Sequence, residues 1–363
     1  GSVGKTGVKE AIFAALDRSS RGKAHRSVKS YNNHVGVPLS LARMAARSRF
    51  GVFEMGMNHA GEIAALTVQV RPHVAIITTI APAHIENLGS EEAIADAKAE
   101  IFGGLEPGGI AIIPADSPHF ARLKEAAERQ AGAVVSFGRA PHADVRLLDA
   151  VAAPGGGSLV TADLGDRRVC YTVAAPGEHW VTNSLAVMAA VRAAGGDLGA
   201  AGLALAEMEG LKGRGARIAI PAGTGTALVI DESYNANPAS MKATLAQLGA
   251  TPATRRIAVL GAMKELGEHA PAYHAALAQP LAASGAGFVV LVGPEMAALA
   301  EELGKAGAGA LGKGIAFAHC NSAQEALEAL RGHGVESGDA ILVKGSNSVG
   351  LGAVVAALVN KEG

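Results

Sequence analysis

The stretch that decides the fold is Gly1-Ser2-Val3-Gly4-Lys5-Thr6, a glycine-rich sequence typical of a phosphate-binding loop. In such a loop, backbone N–H groups surround phosphate oxygens, the lysine adds positive charge and the threonine hydroxyl holds Mg²⁺. Residues Gly7 to Asp17 are predicted to form the helix whose N-terminus faces the phosphates. The pattern also fits a glycine-rich turn without a ligand. The nucleotide hypothesis places the cofactor on Gly1, Ser2, Gly4, Lys5 and Thr6.

The position of this loop at residue 1 leads to a further expectation. A strand ordinarily delivers the chain into such a loop, and the first glycine of the full G-x-x-x-x-G-K-[ST] pattern would precede Gly1. No initiator methionine is present. We therefore expect the sequence to be part of a longer protein.

Length and charge narrow the class of protein. A chain of 363 residues is long enough for two domains with their own cores. The net charge of −1 gives no electrostatic reason to expect a nucleic acid or a membrane surface as partner. The two cysteines, Cys170 and Cys320, suit a reducing cytosol. Apolar runs such as 288–292 are far shorter than the roughly 20 residues that cross a bilayer. We expect a soluble, cytoplasmic, monomeric protein without a membrane span.

Short β-rich runs alternate with helical stretches along most of the chain, which predicts parallel sheets covered by helices. Between 144 and 173 alternating strands broken by glycines instead predict a small antiparallel appendage. The segment 210–215 is the predicted hinge, with a central domain at 1–212 and a Rossmann-like, doubly wound C-terminal domain at 213–363. The predicted strands are 50–54, 73–78, 110–113, 227–231, 256–260, 288–292, 315–318 and 340–343, and the predicted helices of the first domain are 61–70, 91–103, 118–130, 178–194 and 198–208.

Three polar residues of the first domain stand at informative places. Glu54 ends a strand and is either an exposed loop carboxylate or a Mg²⁺ ligand. His84 follows the next strand; because Mg²⁺ prefers oxygen ligands, a surface or capping role is the first interpretation. Lys98, considered alone, is an ordinary solvated helix lysine.

The C-terminal half adds three features. Arg214 lies in the hinge, and the polar run from Asp231 to Pro238 directly follows a strand, although Asn and Asp also favour ordinary turns and helix caps. Lys344-Gly345-Ser346 follows the last strand, where a helix start could hold an anion. An ordinary helix entry with a surface lysine fits this last motif equally well.

Together these motifs resemble the Mur ligase family, and specifically its dipeptide-adding branch. The resemblance runs in order along the whole chain, and 233–238 (Ser-Tyr-Asn-Ala-Asn-Pro) points to that branch. The other matching pieces are 1–6, 32–38, 54–63, 83–84, 97–102, 176–183, 213–214, 231–232 and 342–346.

The resemblance implies ATP and two Mg²⁺ sites, with Lys98 carbamylated by CO₂. Carbamylation requires a neutral amine and turns it into an anionic oxygen ligand. The implied metal ligands are Thr6, Glu54, His84 and Lys98. The implied nucleotide contacts beyond the loop are Asn183 on the adenine or ribose side, Arg214 on the γ-phosphate and Asp231 on the ribose. The implied substrate contacts are Asn32, Asn33, Asn58, His59, Asn235 and Lys344.

The resemblance also implies a reaction of peptidoglycan precursor synthesis. The terminal carboxylate of UDP-N-acetylmuramoyl-tripeptide attacks the γ-phosphate of ATP, and the amine of D-alanyl-D-alanine then attacks the acyl phosphate and expels phosphate. Lys5, Lys98 and Arg214 are the expected catalytic residues, and Lys5, Arg214 and Mg²⁺ offset the repulsion between the two anions. Closure of the second domain about 210–215 is expected to exclude water.

The sequence departs from the family at its front, because family members carry a further N-terminal domain that binds the uridine diphosphate end. We expect the chain alone to keep the ATP-site residues but to have little or no ligase activity, since remote binding energy also contributes to turnover. The alternatives are a folylpolyglutamate-type or single-amino-acid-adding ligase, a non-catalytic nucleotide-binding module, and a P-loop kinase or GTPase.

Overall fold

Clusters of buried apolar side chains organise the chain. One contains Val8, Ile12 and Leu185, another contains Val229 and Val343, and a smaller one contains Val37, Met55 and Leu66. The computed structural model describes residues 1–28, 30–83, 85–153, 156–306 and 314–360. The chain divides into two compact units, Gly1–Glu209 and Gly210–Gly363, named here unit 1 and unit 2.

Unit 1 alternates helices and strands as the sequence predicts, with several bounds shifted by a few residues. Its helices are α1 Lys5–Ser20, α2 Gly36–Ala42, α3 Glu62–Val70, α4 Ile85–Leu88, α5 Glu91–Ala99, α6 Phe120–Glu128, α7 Glu178–Ala193 and α8 Leu198–Ala206, with a 3-10 turn at Glu100–Gly104. Its strands are β1 Ala24–Arg26, β2 Phe50–Val52, β3 Val74–Ile76, β4 Ile110–Pro114, β5 Ala133–Gly138, β6 Val145–Ala152, β7 Ser158–Asp163 and β8 Arg168–Val173.

The main sheet of unit 1 has the order β3-β4-β5-β6-β7-β8. Its first four strands are parallel, and β6, β7 and β8 are joined by antiparallel pairing. The predicted antiparallel appendage at 144–173 is therefore confirmed. Strands β1 and β2 form a separate parallel pair, with Ala24 opposite Phe50. Because β1 has only three residues, it lacked the alternating pattern that would have revealed it in the sequence.

Unit 2 is a second alternating series. Its strands are β9 Ala216–Ala222, β10 Gly225–Glu232, β11 Arg255–Gly261, β12 Phe288–Val292, β13 Ala316–Cys320 and β14 Asp339–Lys344. Its helices are α9 Pro238–Ala250, α10 Ala270–Ala275, α11 Ala278–Ala283, α12 Ala297–Ala306, α13 Ala323–His333 and α14 Gly352–Asn360, with 3-10 turns at Gly267–His269, Pro294–Met296 and Asn347–Val349.

The sheet of unit 2 has the order β13-β12-β11-β14-β10-β9. All its pairs are parallel except β9 with β10, so the predicted doubly wound class is confirmed and gains an antiparallel edge strand. Because β14 lies between β10 and β11, the loops that follow these three strands meet at one edge of the sheet, where open α/β folds bind ligands. Within the described ranges, no helix combines the length and the apolar character that a bilayer span needs.

A bidentate ion pair holds the amino ends of two central strands of unit 2. Arg255 Nε and Nη2 donate to the two carboxylate oxygens of Asp339 at 2.8 and 2.7 Å, and the Asp339 side chain is fully buried. Burial alone would raise the pKa of Asp339, but hydrogen bonds from Arg255 and from the Glu336 N–H outweigh it and hold this pKa below its ordinary value. The pair therefore stabilises the folded state when Asp339 is ionised.

We expect Arg255→Ala to lower the free energy of unfolding of unit 2 by about 3–5 kcal/mol, because it leaves a buried carboxylate without its partner. Urea unfolding at neutral pH measures this loss. The stabilisation from Asp339 is present above its unfolded pKa, about 3.9, and disappears as the pH falls through the lower folded value. The deficit of the variant should therefore shrink in acid.

The matched control for Arg255→Ala is Arg129→Ala, which removes an exposed ion pair one helical turn from Glu125. Such pairs contribute only about 0.3–0.5 kcal/mol. Equal losses in the two variants would contradict a special role for the Arg255–Asp339 pair.

Candidate active site

The glycine-rich loop of unit 1 is fixed by hydrogen bonds to the segment after β3. The Ser2 N–H donates to the Thr79 carbonyl at 2.7 Å, and the Ser2 hydroxyl donates to the Ala81 carbonyl at 2.8 Å. The Thr78 hydroxyl donates to the Val3 carbonyl at 2.6 Å. Helix α1 begins at Lys5, so the N–H groups of its first turn lie beside the loop. This arrangement is suited to binding an anion.

Two glycines allow close approach of α7 to this loop. Gly4 has φ +85°, a left-handed conformation, and a Cβ there would lie 2.9 Å from Asn183 Nδ2. A Cβ at Gly7 would lie 2.5 Å from the Trp180 ring. Asn183 thus lies against the loop, and its implied contact on the adenine or ribose side stays a prediction.

Glu54 is a buried carboxylate beside the loop that accepts hydrogen bonds from two side chains. Its Oε2 accepts a hydrogen bond from the Thr6 hydroxyl at 2.8 Å, and its Oε1 accepts one from Asn32 Nδ2 at 2.9 Å. Both Thr6 and Glu54 are only 4% exposed. Between the two interpretations of Glu54, the structure therefore excludes the exposed loop carboxylate. The carboxylate and hydroxyl oxygens here are the ligand types that Mg²⁺ prefers.

Lys98 is also buried, at 4% exposure, near the end of α5. Burial, and secondarily the Lys5 cation, lower the pKa of Lys98 well below its ordinary value. The interpretation of Lys98 as a solvated helix lysine is therefore wrong, because α5 packs its last turn inwards. A neutral amine at this position is available as a nucleophile.

One cavity of about 620 Å³ in unit 1 is lined by several ionisable residues. Its lining includes Lys5, Glu54 and Lys98, together with parts of β2 and β3. Lys5 Nζ donates to the Gly1 carbonyl at 2.6 Å, so the lysine lies along its own loop. The cavity therefore places the amines of Lys5, Lys9 and Lys98 and the carboxylate of Glu54 beside the glycine-rich loop.

The metal prediction is only partly covered by the structure. Of the four predicted ligands, Thr6, Glu54 and Lys98 are described, whereas His84 lies outside the described residues. Among the described residues, no cluster of three or more His, Cys, Asp or Glu side chains could hold a metal ion. A metal at Thr6 and Glu54 would therefore need further oxygen ligands from other groups, such as phosphate or water.

The predicted substrate contacts of unit 1 lie mostly on exposed loops. Asn33 Oδ1 accepts the Gly36 N–H at 2.9 Å and so orders the start of α2. The Asn58 N–H donates to Glu62 at 2.7 Å, and His59 Nδ1 lies 3.2 Å from the same carboxylate. The bond from the Asn58 N–H is the main cause that lowers the pKa of Glu62.

The sequence analysis did not identify Glu62 and Glu100, whose carboxylates accept backbone N–H groups in the segment 58–64. Glu100 accepts the Gly61 and Ala64 N–H groups at 2.7 and 3.1 Å, and so caps α3 from 36 or more residues away. Both acids lie inside motifs that the sequence singled out. The role of Glu100 as a backbone acceptor was invisible because it depends on a long-range contact, whereas Glu62 accepts from Asn58, four residues earlier.

In unit 2, Asp231 shapes the turn that carries Arg214. Its carboxylate accepts the Gly213 N–H at 2.7 Å, the Ser233 N–H at 3.1 Å and the Ser233 hydroxyl at 2.6 Å. The Arg214 guanidinium lies 4.2 Å from the centre of the Tyr234 ring, a cation–π geometry. Asp231 is 1% exposed, so the structure shows it as an internal acceptor.

Lys344 and Glu232 form a buried pair at the carboxyl ends of β14 and β10. Their Nζ and Oε2 atoms are 3.6 Å apart, and Lys344 Nζ donates to the Asn235 carbonyl at 2.9 Å. Burial lowers the pKa of Lys344 against the opposing effect of Glu232, and burial raises the pKa of Glu232. Lys344 is thus not a surface lysine. Glu232, to which the sequence assigned no role, is its partner.

Both units match known protein families. The Mur ligase middle domain family matches residues 1–191, and the family described as Mur ligase, glutamate ligase domain, matches residues 216–347. The chain therefore belongs to the Mur ligase family, as the motifs indicated.

Within that family, the similar curated proteins are UDP-N-acetylmuramoyl-tripeptide–D-alanyl-D-alanine ligases. The one from Synechocystis sp. is 35% identical over 99% of this chain and 73% of its own length, and the one from Escherichia coli is 33% identical over 99% and 75%. Among solved structures, MurF from Acinetobacter baumannii superposes with a TM-score of 0.85 at 30% identity, covering 98% of this chain and 74% of that one.

Proposed function

We propose that this chain carries the ATP-binding and ligase units of an enzyme that joins D-alanyl-D-alanine to UDP-N-acetylmuramoyl-tripeptide. The similar curated proteins from Synechocystis sp. and E. coli are named for this reaction. The observation that carries the proposal is the hydrogen bond from Thr6, at the end of the glycine-rich loop, to Glu54, which lines the same cavity as the buried amine of Lys98.

The residues of unit 1 fit a nucleotide with Mg²⁺. Gly4 is held in a left-handed conformation, and the close contact with Asn183 leaves no room for a side chain at this position. Thr6 and Glu54 supply oxygen ligands, and Lys5 supplies a cation for phosphate. Bound Mg²⁺ would neutralise charge on the terminal phosphates.

Lys98 fits the proposed carbamate. Its amine is buried and its pKa is lowered, so the neutral form that must attack CO₂ is favoured. In this step the Lys98 nitrogen forms a bond to the carbon of CO₂ and loses a proton, which gives a carbamate anion. The lysine then supplies oxygen atoms, which match the ligand preference of Mg²⁺. Two Mg²⁺ sites and His84 as a ligand are part of the proposal.

In the proposed reaction, ATP is converted to ADP and inorganic phosphate, as in other ADP-forming ligases. A carboxylate oxygen of the tripeptide displaces ADP from the γ-phosphate and forms an acyl phosphate. The D-alanyl-D-alanine amine then bonds to the acyl carbon, loses a proton and displaces inorganic phosphate. Lys5 offsets the repulsion between carboxylate and triphosphate in the first step. The roles implied for Asn32, Asn33, Asn58, His59, Asn183, Arg214, Asp231, Asn235 and Lys344 stay predictions.

The first test is phosphate release from ATP with Mg²⁺ and bicarbonate. It uses the 363-residue chain and a version extended at its N-terminus with the preceding residues of the Synechocystis relative, called here the extended chain. We expect release from the extended chain to require both UDP-N-acetylmuramoyl-tripeptide and D-alanyl-D-alanine. The shorter chain should be much less active, since binding energy from the distant end of a substrate also contributes to turnover.

Single amino acids in place of D-alanyl-D-alanine are the matched control. Equal release with a single amino acid would indicate a different branch of the family. ATP binding without release under any of these conditions would contradict the ligase proposal and favour a non-catalytic nucleotide-binding module.

A further inference from the structure

Lys9 is a buried cation that the proposed function leaves without a role. It lies on α1 three residues after Thr6 and is 3% exposed. Its Nζ donates to the Ser27 carbonyl at 2.8 Å and lies 2.8 Å from Glu10 Oε1. An ammonium group in such a place is costly unless it is paired and hydrogen-bonded, so the contacts of Lys9 need an explanation.

The acceptor of Lys9 is itself joined to Glu54. Ser27 is fully buried, and its N–H donates to the Val52 carbonyl at 3.0 Å. The Ser27 hydroxyl accepts the N–H of Glu54 at 3.2 Å. A series of hydrogen bonds therefore runs from Lys9 on α1, through Ser27 directly after β1, to the backbone N–H of Glu54, two residues after β2.

Helix α1 also contacts Glu54 directly, through Thr6 at the end of the glycine-rich loop. Thr6 and Lys9 lie one turn apart on α1, and Thr6 donates to the Glu54 carboxylate. Glu54 is thus held twice from the same helix, at its carboxylate by Thr6 and at its N–H by Ser27, which Lys9 holds. Both Lys9 and Glu54 line the same cavity. Groups that orient a ligand residue typically change metal affinity by 10–100-fold when they are removed.

We infer that Lys9 is a positioning residue that fixes Glu54 through Ser27 and thereby sets the Mg²⁺ dependence of nucleotide binding. The inference rests on the proposed role of Glu54 at the nucleotide site. A merely structural Lys9 would affect the melting temperature of the chain and leave the Mg²⁺ dependence unchanged.

The test is calorimetric binding of ADP to the 363-residue chain over a series of Mg²⁺ concentrations and in EDTA, at a temperature where every variant is folded. We expect Lys9→Met and Ser27→Ala each to raise the Mg²⁺ concentration for half-maximal tightening about tenfold. Affinity in EDTA should stay unchanged. The double variant should resemble the single variants, because both changes interrupt one chain of contacts.

Lys9→Arg should recover much of the Mg²⁺ dependence, because a guanidinium can still donate to the Ser27 carbonyl, and it provides a second variant if Lys9→Met does not fold. Lys124→Met, which changes a half-exposed lysine of α6, is the matched control. A Lys9→Met chain that melts earlier but keeps the parent Mg²⁺ dependence would overturn the inference.

Glu54→Ala separates this inference from the proposed function. If Glu54→Ala shifts the Mg²⁺ dependence and Lys9→Met does not, the inference fails and the proposed site stands. If Glu54→Ala has no effect either, or the parent shows no Mg²⁺-dependent binding, the proposed function fails and the inference fails with it.

Discussion

Lys98→Met should lower substrate-dependent phosphate release from the extended chain by about 10²–10³-fold, the cost of losing one group that stabilises charge in the transition state. Methionine fills a similar volume but cannot form a carbamate. The fold should persist, since the substitution removes a buried amine whose charged form is disfavoured by burial. Steady-state kinetics with both substrates measures the loss.

Removal of CO₂ distinguishes a carbamate from an unmodified amine at Lys98. Parent protein in CO₂-free buffer should lose activity and regain it with bicarbonate, whereas Lys98→Met should not respond. The pH dependence has a defined sign. Below the lowered folded pKa, Lys98 is an ammonium and cannot attack CO₂, so activity should fall as the pH drops through that value. The control Lys124→Met should match the parent throughout. Full activity of the parent without CO₂ would contradict the carbamate.

Glu54→Ala should reduce phosphate release to a similar extent, about 10²–10³-fold. The change removes the acceptor of the Thr6 hydroxyl and of the Asn32 amide. Leaving these two donors in a buried place should also cost about 1–3 kcal/mol each in the free energy of unfolding. Kinetics on the extended chain and urea unfolding of the 363-residue chain measure the two effects separately.

Glu54→Gln separates the effect of the negative charge of Glu54 from the effect of its shape. The amide keeps the volume and one oxygen, so it should recover most of the stability but little of the activity, because the negative charge is absent. Glu125→Ala, which removes an exposed carboxylate of α6, is the control; it should leave activity unchanged and lower the free energy of unfolding by only about 0.3–0.5 kcal/mol. If Glu54→Gln kept parent activity, Glu54 would serve as a hydrogen-bond acceptor and not as an ion-binding ligand.

The sequence predicted the elements whose signals are local. The loop 1–6 gave the position of α1, and apolar runs such as 288–292 gave the strands of unit 2. The glycine-interrupted stretch 144–173 gave the antiparallel hairpins. By contrast, strands β1, β5 and β9 and helices α2 and α4 were missed. Strand β1 is three residues long, and β9 belongs to its sheet only through antiparallel pairing with β10.

For the functional residues, too, the sequence predicted what depends on residue type and order, and not what depends on contacts between distant residues. Residue types and order along the chain were enough to identify the family and to place Thr6, Glu54 and Lys98 among the candidates. The sequence by itself could not decide whether Lys98 faces water, whether Asp231 has internal donors, or that Glu232 pairs with Lys344.

The sequence by itself therefore determined the class of fold, the family and the chemical types present at the site. Only the tertiary structure decided which of those groups are buried and what they bind. The physical reason is that a pKa and a hydrogen-bond partner depend on neighbours brought close by folding: Lys98 becomes a candidate for carbamylation through burial, and Lys9 reaches Glu54 through Ser27, 18 residues away in the chain.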